Sequence, residues 1–339
     1  MKTKIAKYMV TLQILLSFCA YESMAFNDSE ATAYLWKLIN EARLRPAKTV
    51  EAYRIDYQRA KDSLGDDGWI LELEDGLPPL ALNAKLTEMS SAHNQDMIGR
   101  QYYSYTSPEG ISFNDRIVNS GYNPAITGES LGILSFYIYV DPLKAVEGIF
   151  ENMLRDELNP DFGYPKNIFN KDFTEIGISF ISTTFSLGKD SSGKDITLNA
   201  YLVTADFAKP VEPRTYILGN IYNIGENQPN NLVWSENWLP ENSYAKDLLS
   251  YKGWKPEKAN NSFILWVHNI TEGWSVAVEH GHLGMYQVEI PPDMFYSIDL
   301  YSKIDEPQSE NGYFQGDLLD RVVNIGLNVN KMVDFGINQ

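Results

Sequence analysis

The chain has 339 residues, of which 44% are hydrophobic and 22% charged, a composition typical of a globular protein rather than a disordered one. A formal net charge of −17 argues against a protein that coats nucleic acid or anionic lipid, since both need clustered lysine and arginine. The single cysteine excludes a disulfide framework and a thiolate-type structural zinc site. At this length, one large domain or two ordinary domains could form.

The first 25 residues have the pattern of an export signal. Lysines precede an apolar stretch from Met9 to Ala20, and Ser23-Met24-Ala25 offers small residues where a signal peptidase cleaves. No later stretch has 18 consecutive apolar residues, so we expect a secreted or periplasmic protein without a transmembrane segment. Cys19 lies in a lipoprotein-like context, but the bulky Phe18 before it argues against lipid attachment.

Four helices are predicted by apolar residues at three- or four-residue spacing and by capping residues at their starts. They begin at Asp28 or Ser29, at Val50, after Asn83 and at Asp141-Pro142. Pro46 ends the first helix and Gly65 ends the second. The helical part of the chain therefore precedes residue 174.

Strand patterns dominate after Thr174. Residues 174–181 and 196–207 are rich in β-branched and aromatic side chains and flank a turn-like segment, which predicts an antiparallel hairpin. Pro210 and Pro213 mark a domain boundary. Four short strands are predicted beyond it, at residues 263–268, 274–279, 285–290 and 295–301. We therefore predict an α+β fold, with one domain at 26–209 and a smaller β-sandwich-like domain at 213–339.

Several short segments occur in a characteristic order between residues 34 and 207. They are Leu38–Arg43, Leu77–Leu80, Ala92–Met97, Tyr103–Gly110, Gly128–Ser130, Gly163–Ile168, Phe173–Gly177 and Tyr201–Phe207. In this order they resemble the CAP superfamily of cysteine-rich secretory, antigen 5 and pathogenesis-related proteins, in its bacterial SCP-like branch. The resemblance implies an α-β-α sandwich, makes residues 46–76 an insertion, and implies an open groove that gathers two histidines and two glutamates, sometimes around a divalent metal.

The groove differs from the family pattern at both histidine positions. Tyr105 and Tyr164 stand there, whereas the carboxylates Glu129 and Glu175 remain. Phenols have an unperturbed pKa of about 10, so they do not replace imidazoles as zinc ligands near neutral pH. We therefore expect no metal and no cofactor. These four residues would form a ligand-binding groove for a small amphipathic or hydroxyl-bearing molecule; alternatively, the phenols are buried scaffold bonded to carboxylates.

Two catalytic hypotheses compete with binding. Gly128–Gly132 matches the G-x-S-x-G nucleophile elbow, with Ser130 as nucleophile and His268 or His280 following in the required order. Pro124 argues against the buried strand that must precede the serine of an elbow. Residues 133–140, which follow the motif, are aromatic and β-branched and are poor choices for the helix that an elbow needs there. A peptidase with Glu129 as general base is the other hypothesis.

The sequence favours a binding or interaction module over an enzyme. Its β-domain would contact an envelope component or a partner protein, and no nucleic-acid partner is expected. His93 lies on the apolar face of the third helix, which favours a packing role over catalysis. His280 and His282 flank Gly281 in a turn near His268, where solvated side chains are favoured over a metal site.

Overall fold

The computed structural model describes residues 28–223, 263–278, 280, 284–302 and 317–337. The predicted export signal at 1–25, including Cys19, lies outside the described residues. So do Glu279 and His282.

The amino-terminal half is built from helices around one sheet. The α-helices are α1 (Asp28–Leu44), α2 (Pro46–Ala52), α3 (Tyr57–Leu64), α4 (Ala84–Arg100), α5 (Phe113–Asn119) and α6 (Pro142–Glu157), with a 3-10 helix at Gly65–Glu72. The strands are β1 (Ala81–Leu82), β2 (Pro124–Phe136), β3 (Glu175–Lys189) and β4 (Asp195–Pro210). Their order in the sheet is β1-β3-β4-β2, so β2 is an edge strand.

Three layers result from this arrangement. Helix α4 packs on β3 and β4, while α1 and α6 pack together and cover the opposite face. The close approach of α4 explains Gly177, because a Cβ there would lie 2.1 Å from the backbone carbon of Leu86. The predicted α+β fold with an α-β-α sandwich is confirmed.

Local capping sets the helix starts that position the cleft. The Asn83 side chain accepts the N–H of Lys85 at 3.0 Å, and α4 begins one residue after this cap. Asp141 likewise accepts the N–H of Leu143, with Pro142 in the first turn of α6. Both starts agree with the sequence prediction.

The insertion at 46–76 differs from prediction in detail. The sequence predicts one amphipathic stretch from Val50 to Leu64, but the structure divides it into α2 and α3. Arg54 has a φ of 50°, in the left-handed region, which ends α2. Asp56 then caps α3 by accepting the N–H of Arg59.

The carboxy-terminal half contains only strands in the described ranges. They are β5 (Thr215–Asn223), β6 (Phe263–Asn269), β7 (Trp274–Val278), β8 (Met285–Ile290), β9 (Met294–Ser302), β10 (Leu318–Leu327), β11 (Lys331–Met332) and β12 (Phe335–Ile337). One sheet has the order β10-β9-β6-β7; in the other, β5 pairs with β8, β11 and β12. Side chains from both sheets share a core that includes Val267, Tyr286, Ile298 and Phe335, which gives a sandwich-like arrangement.

The carboxy-terminal strands contact the amino-terminal layers through one buried and one half-buried amide side chain. Asn330 Nδ2 donates to the carbonyl oxygens of Pro79 and Thr174, at 3.0 and 2.7 Å. Gln287 bonds both the N–H and the C=O of Leu82. In the described ranges, no helix combines the length and apolar content needed to cross a membrane.

Candidate binding cleft

A small recess lies beside the edge strand β2. Its lining includes Tyr105, Glu129 and Tyr164, three of the four predicted groove residues, and its volume is about 30 Å³. The other lining residues are Ser130, Leu131, Met153, Asp156, Glu157, Pro165 and Asn167. A volume of this size holds a water molecule or a single small polar group rather than a whole drug-sized ligand.

Glu129 is held in place by an arginine. Its side chain has no exposed surface, and Arg116 Nη2 on α5 lies 2.6 Å from its Oε2. The same guanidinium donates to the carbonyl oxygens of Tyr105 and Ile111, at 3.1 and 3.3 Å. Arg116 therefore fixes the loop that presents Tyr105 to the strand that presents Glu129.

A second buried carboxyl lies next to Glu129. Asp206 is its partner in the register between β2 and β4, and Ser90 Oγ on α4 donates to Asp206 at 2.8 Å. Burial and the charge of Asp206 raise the pKa of Glu129, and burial raises the pKa of Asp206. Glu129 and Asp206 therefore hold a proton at pH values at which isolated carboxyl groups have lost theirs. Arg116 is the cationic neighbour of Glu129.

The remaining carboxyls of the cleft differ in their availability. Glu157 is buried, and its two oxygens accept the backbone N–H groups of Ile168 and Phe169, at 2.9 and 2.7 Å. Burial raises the pKa of Glu157 to about 7. Asp156 is half-buried, and burial raises its pKa as well. Asp156 is therefore the cleft carboxyl that a ligand can reach without displacing a structural bond.

Exposed aromatic side chains form a rim around the recess. Their exposed fractions are 43% for Tyr103, 39% for Tyr105, 57% for Phe162 and 43% for Tyr164. The rings of Phe162 and Tyr164 meet edge to face at 5.9 Å. Partial burial and the neighbouring Tyr105 raise the pKa of Tyr103. The rim thus combines apolar ring faces with neutral hydroxyl groups next to a small polar recess.

Glu175 is the predicted groove residue that does not line this recess. It is buried, and it accepts hydrogen bonds from Tyr122 Oη, Asn83 Nδ2 and Tyr216 Oη, at 2.7, 2.8 and 3.0 Å. Arg214 Nη1 lies 3.7 Å from its Oε1. Because Tyr216 belongs to β5, Glu175 joins the CAP-like layers to the carboxy-terminal strands.

Ser130 lies within the continuous strand β2, which lacks the strand-turn-helix geometry of a nucleophile elbow. Its Oγ accepts the Asn167 amide at 2.9 Å. The flanking glycines have packing roles: a Cβ at Gly128 would lie 2.4 Å from Asn167 Oδ1, and one at Gly132 would lie 2.3 Å from Ile149 Cγ2. The motif match is therefore explained by close packing at the sheet edge.

His93 is buried on α4, as its position on the apolar face predicts. Its Nε2 lies 3.0 Å from the carbonyl oxygen of Ser104. Burial and the nearby Arg116 lower the pKa of His93 to about 4, so the imidazole is neutral at pH 7. Its role at that pH is to hold the loop that leads to Tyr105.

The cleft does not fit a transition metal. Tyr105 and Tyr164 stand where the family resemblance implies histidines, and the buried Glu129 is already paired with Arg116. Among the described residues, no group of three or more histidine, cysteine, aspartate or glutamate side chains is placed to hold a metal ion.

Sequence reasoning missed three residues that shape the cleft. Asp206 could have been found, because a lone carboxylate within the apolar strand Tyr201–Phe207 signals a buried partner. Arg116 and Asn167 gave no such signal, since their partners Glu129 and Ser130 become neighbours only when α5 and the segment around Asn167 pack on β2.

The layers and the edge cleft define the class of protein: an α-β-α sandwich with a carboxy-terminal β-region. Residues 36–188 match the family model described as CAP, the cysteine-rich secretory protein family. Over this region, the chain has a CAP domain.

Similar proteins occur in Bacillus subtilis strain 168. The chain is 28% identical over 109 residues to the uncharacterized membrane protein YlbC, covering 32% of this chain and 28% of that protein. It is 27% identical over 108 residues to the uncharacterized protein YkwD, covering 32% and 37%. The matches thus span 28% of one relative and 37% of the other.

Two solved structures also show similarity. One is an extracellular protein containing an SCP domain from Bacillus anthracis strain Ames, with 20% identity, coverage of 45% of this chain and 41% of that chain, and a TM-score of 0.28. The other is an outer surface protein from Borrelia burgdorferi, with 17% identity, coverage of 48% and 95%, and a TM-score of 0.25.

Proposed function

We propose that this CAP-domain protein is an exported binding module rather than an enzyme at its CAP cleft. The observation behind the proposal is the exposed aromatic rim around a small polar recess. Aromatic faces bind apolar or sugar-ring surfaces, and a carboxylate or phenol binds hydroxyl groups. A small amphipathic ligand with a hydroxyl-bearing head matches both features.

The size of the recess decides how such a ligand would bind. About 30 Å³ accommodates one hydroxyl group, so only part of the head would enter. Asp156 is available to accept a hydrogen bond from it. The rest of the ligand would lie across Tyr103, Phe162 and Tyr164, where burial of apolar area contributes about 25 cal/mol per Å².

The state of Glu129 argues against catalysis in this cleft. A general base must come within hydrogen-bond reach of the proton that it removes. Glu129 has no exposed side-chain surface and is bonded to Arg116. Ser130, the nucleophile of the esterase hypothesis, is bonded to Asn167 within a strand. Neither group is placed to react without rearrangement.

We further propose that residues 26–209 and 213–339 are two domains, and that the second contacts an envelope component or a partner protein. The predicted signal at 1–25 supports export. The hydrogen bonds of Asn330 and Gln287 would hold the second domain in place while its outer surface contacts a partner.

Titration calorimetry with monomeric octyl glucoside tests the cleft. The probe joins a hydroxyl-rich head to an alkyl chain. We expect saturable binding by the full chain, and at least about tenfold weaker binding by Tyr164→Ala, since rim aromatics would supply more than about 1.4 kcal/mol. The matched control is Tyr137→Ala, because Tyr137 is 79% exposed in the loop after β2.

Two further results separate the hypotheses. Octanoate should bind more weakly than octyl glucoside, because its carboxylate would approach Asp156 and the Glu129–Asp206 pair. Equal affinity of Tyr164→Ala and the unchanged protein would contradict the proposal. Turnover that Glu129→Gln abolishes would instead favour a hydrolase.

A further inference from the structure

A polar cluster lies on one sheet of the carboxy-terminal region, on the face away from the core. His268 on β6 has Ser275 of β7 and Ser297 of β9 as its register partners. Its Nδ1 is 2.6 Å from Ser275 Oγ, and its Nε2 is 3.3 Å from Asp299 Oδ2. Serine and aspartate therefore contact opposite nitrogens of one imidazole.

The surroundings of Asp299 decide which nitrogen holds the proton. The Asp299 side chain is only 2% exposed, and Arg321 Nε donates to its Oδ1 at 2.6 Å. The bond to Arg321 lowers the pKa of Asp299, so this carboxylate only accepts hydrogen bonds. Since His268 Nε2 faces this carboxylate, the tautomer with its hydrogen on Nε2 is the one that suits both neighbours, and it leaves the lone pair of Nδ1 facing the Ser275 hydroxyl.

We infer that Ser275, His268 and Asp299 form a nucleophilic site that reacts with small acyl esters. Ser275 Oγ bonds to the ester carbonyl carbon while its proton passes to His268 Nδ1. The carbon–oxygen bond to the alcohol then breaks, and the departing alkoxide takes that proton. Water then attacks the carbonyl carbon of the acyl-serine and gives a proton to His268 Nδ1. The bond between that carbon and Ser275 Oγ breaks, Oγ takes the proton back from His268, and a carboxylic acid leaves. Asp299 is a positioning residue that holds the tautomer.

The position of β7 adds a donor for the carbonyl oxygen. In the described part of the chain, β7 has β6 as its one strand partner in the sheet. Successive N–H groups of a strand point to opposite sides, so the N–H of either Ser275 or Val276 points away from β6. A backbone N–H at the sheet edge thus lies within one residue of Ser275.

The exposure of the cluster sets the substrate class. Ser275 is exposed, and His268 is 33% exposed in its side chain. The Trp266 ring stacks on the His268 ring at 6.4 Å with an interplanar angle of 11°. An open sheet face with one stacked aromatic selects weakly, so short acyl chains on good leaving groups are the expected substrates.

This site is separate from the CAP cleft. The G-x-S-x-G match would combine Ser130 with His268 or His280, whereas in the structure His268 contacts Ser275, seven residues along a hairpin. Loss of ligand binding at the cleft would leave the inference about Ser275 unchanged.

Covalent labelling of the full chain tests the site. A fluorophosphonate bonds its phosphorus to a nucleophilic serine oxygen and releases fluoride, and intact-mass and peptide analysis locate the adduct. We expect one adduct at Ser275 and an initial burst of p-nitrophenol from p-nitrophenyl acetate. Ser275→Ala and His268→Gln should each reduce labelling at least tenfold.

Two variants serve as matched controls. Ser297→Ala removes the other serine opposite His268, and Ser135→Ala removes an exposed serine of β2 that belongs to neither site; both should label as the unchanged protein does. Circular dichroism establishes that each variant is folded. Absence of labelling in the unchanged protein, undiminished labelling of folded Ser275→Ala, or an adduct at Ser130 or Ser297 would overturn the inference.

Discussion

Lys37 and Asp334 form a buried ion pair, with Nζ and Oδ2 2.9 Å apart and side chains only 1% and 3% exposed. Burial alone would lower the pKa of Lys37, but Asp334 and Glu41 outweigh that effect and raise it above its ordinary value. Asp334 also accepts the N–H of Asn220 on β5 at 2.8 Å. One carboxylate thus joins the first helix to the carboxy-terminal strands.

Removal of Asp334 should destabilise the protein strongly. Asp334→Ala leaves the Lys37 ammonium buried without that partner, for which we expect a loss of about 3–5 kcal/mol in the free energy of unfolding. Urea denaturation measures this loss. Asp320→Ala on β10 is the control, because Asp320 is exposed and should change stability by less than about 0.5 kcal/mol. Similar losses in both variants would contradict the assignment.

Two glycines only 16 positions apart should respond in opposite directions to alanine. Gly132→Ala places a Cβ 2.3 Å from Ile149 Cγ2, so overpacking should cost about 1–3 kcal/mol. Gly148→Ala in helix α6 meets no atom within 4 Å and should stabilise by about 0.5–1 kcal/mol. Thermal unfolding of both variants tests whether the G-x-S-x-G match reflects packing. A neutral Gly132→Ala would refute this explanation.

Glu157 should make stability fall as the pH rises. Its pKa is raised from 4.5 to about 7 in the folded protein, so its contribution is full below pH 4.5 and is lost as the pH approaches 7. Glu157→Gln removes this dependence. Between pH 4.5 and 7, the free energy of unfolding of the variant should fall by up to about 3 kcal/mol less than that of the unchanged protein, because one pKa unit corresponds to about 1.36 kcal/mol.

Urea unfolding at several pH values measures this difference. The exposed Glu74→Gln is the control and should follow the unchanged protein. Parallel pH profiles for Glu157→Gln and the unchanged protein would show that the Glu157 carboxyl does not contribute in this way.

The Glu175 network should couple the two halves of the chain. Tyr216→Phe removes a hydroxyl that donates to Glu175 at 3.0 Å, and a bond to a charged group contributes about 1.5–3 kcal/mol. A double-mutant cycle with Glu175→Gln measures the coupling energy of the pair. Tyr137→Phe, on an exposed loop, should have no effect. Additive losses from Tyr216→Phe and Glu175→Gln would mean that this bond does not link the halves.

The parts of the fold that sequence predicts are those set by local chemistry. Asn83 and Asp141 cap α4 and α6 through neighbouring N–H groups, and the hairpin of β3 and β4 follows from two adjacent apolar runs. The short helices of the insertion were harder to predict, because Arg54 adopts a left-handed conformation that its residue type does not favour.

The cleft was predictable only in part. Tyr105, Glu129 and Tyr164 come together as the family resemblance implies. Glu175 lies elsewhere, at the start of β3, where Tyr122, Asn83 and, from a strand outside the matched region, Tyr216 donate hydrogen bonds to it. The link between His268 and Ser275 depends on strand register, which the spacing of residues in the sequence does not specify.

The pair of Lys37 and Asp334 also has a consequence for biosynthesis. Their separation of 297 positions means that the lysine is synthesised long before its acidic partner. Glu41, one helical turn away with its Oε1 2.9 Å from Lys37 Nζ, is available throughout that interval. Glu41 can therefore pair with Lys37 within the first helix before Asp334 has been synthesised. Asp334 then adds the second carboxylate partner of Lys37 when the carboxy-terminal strands fold.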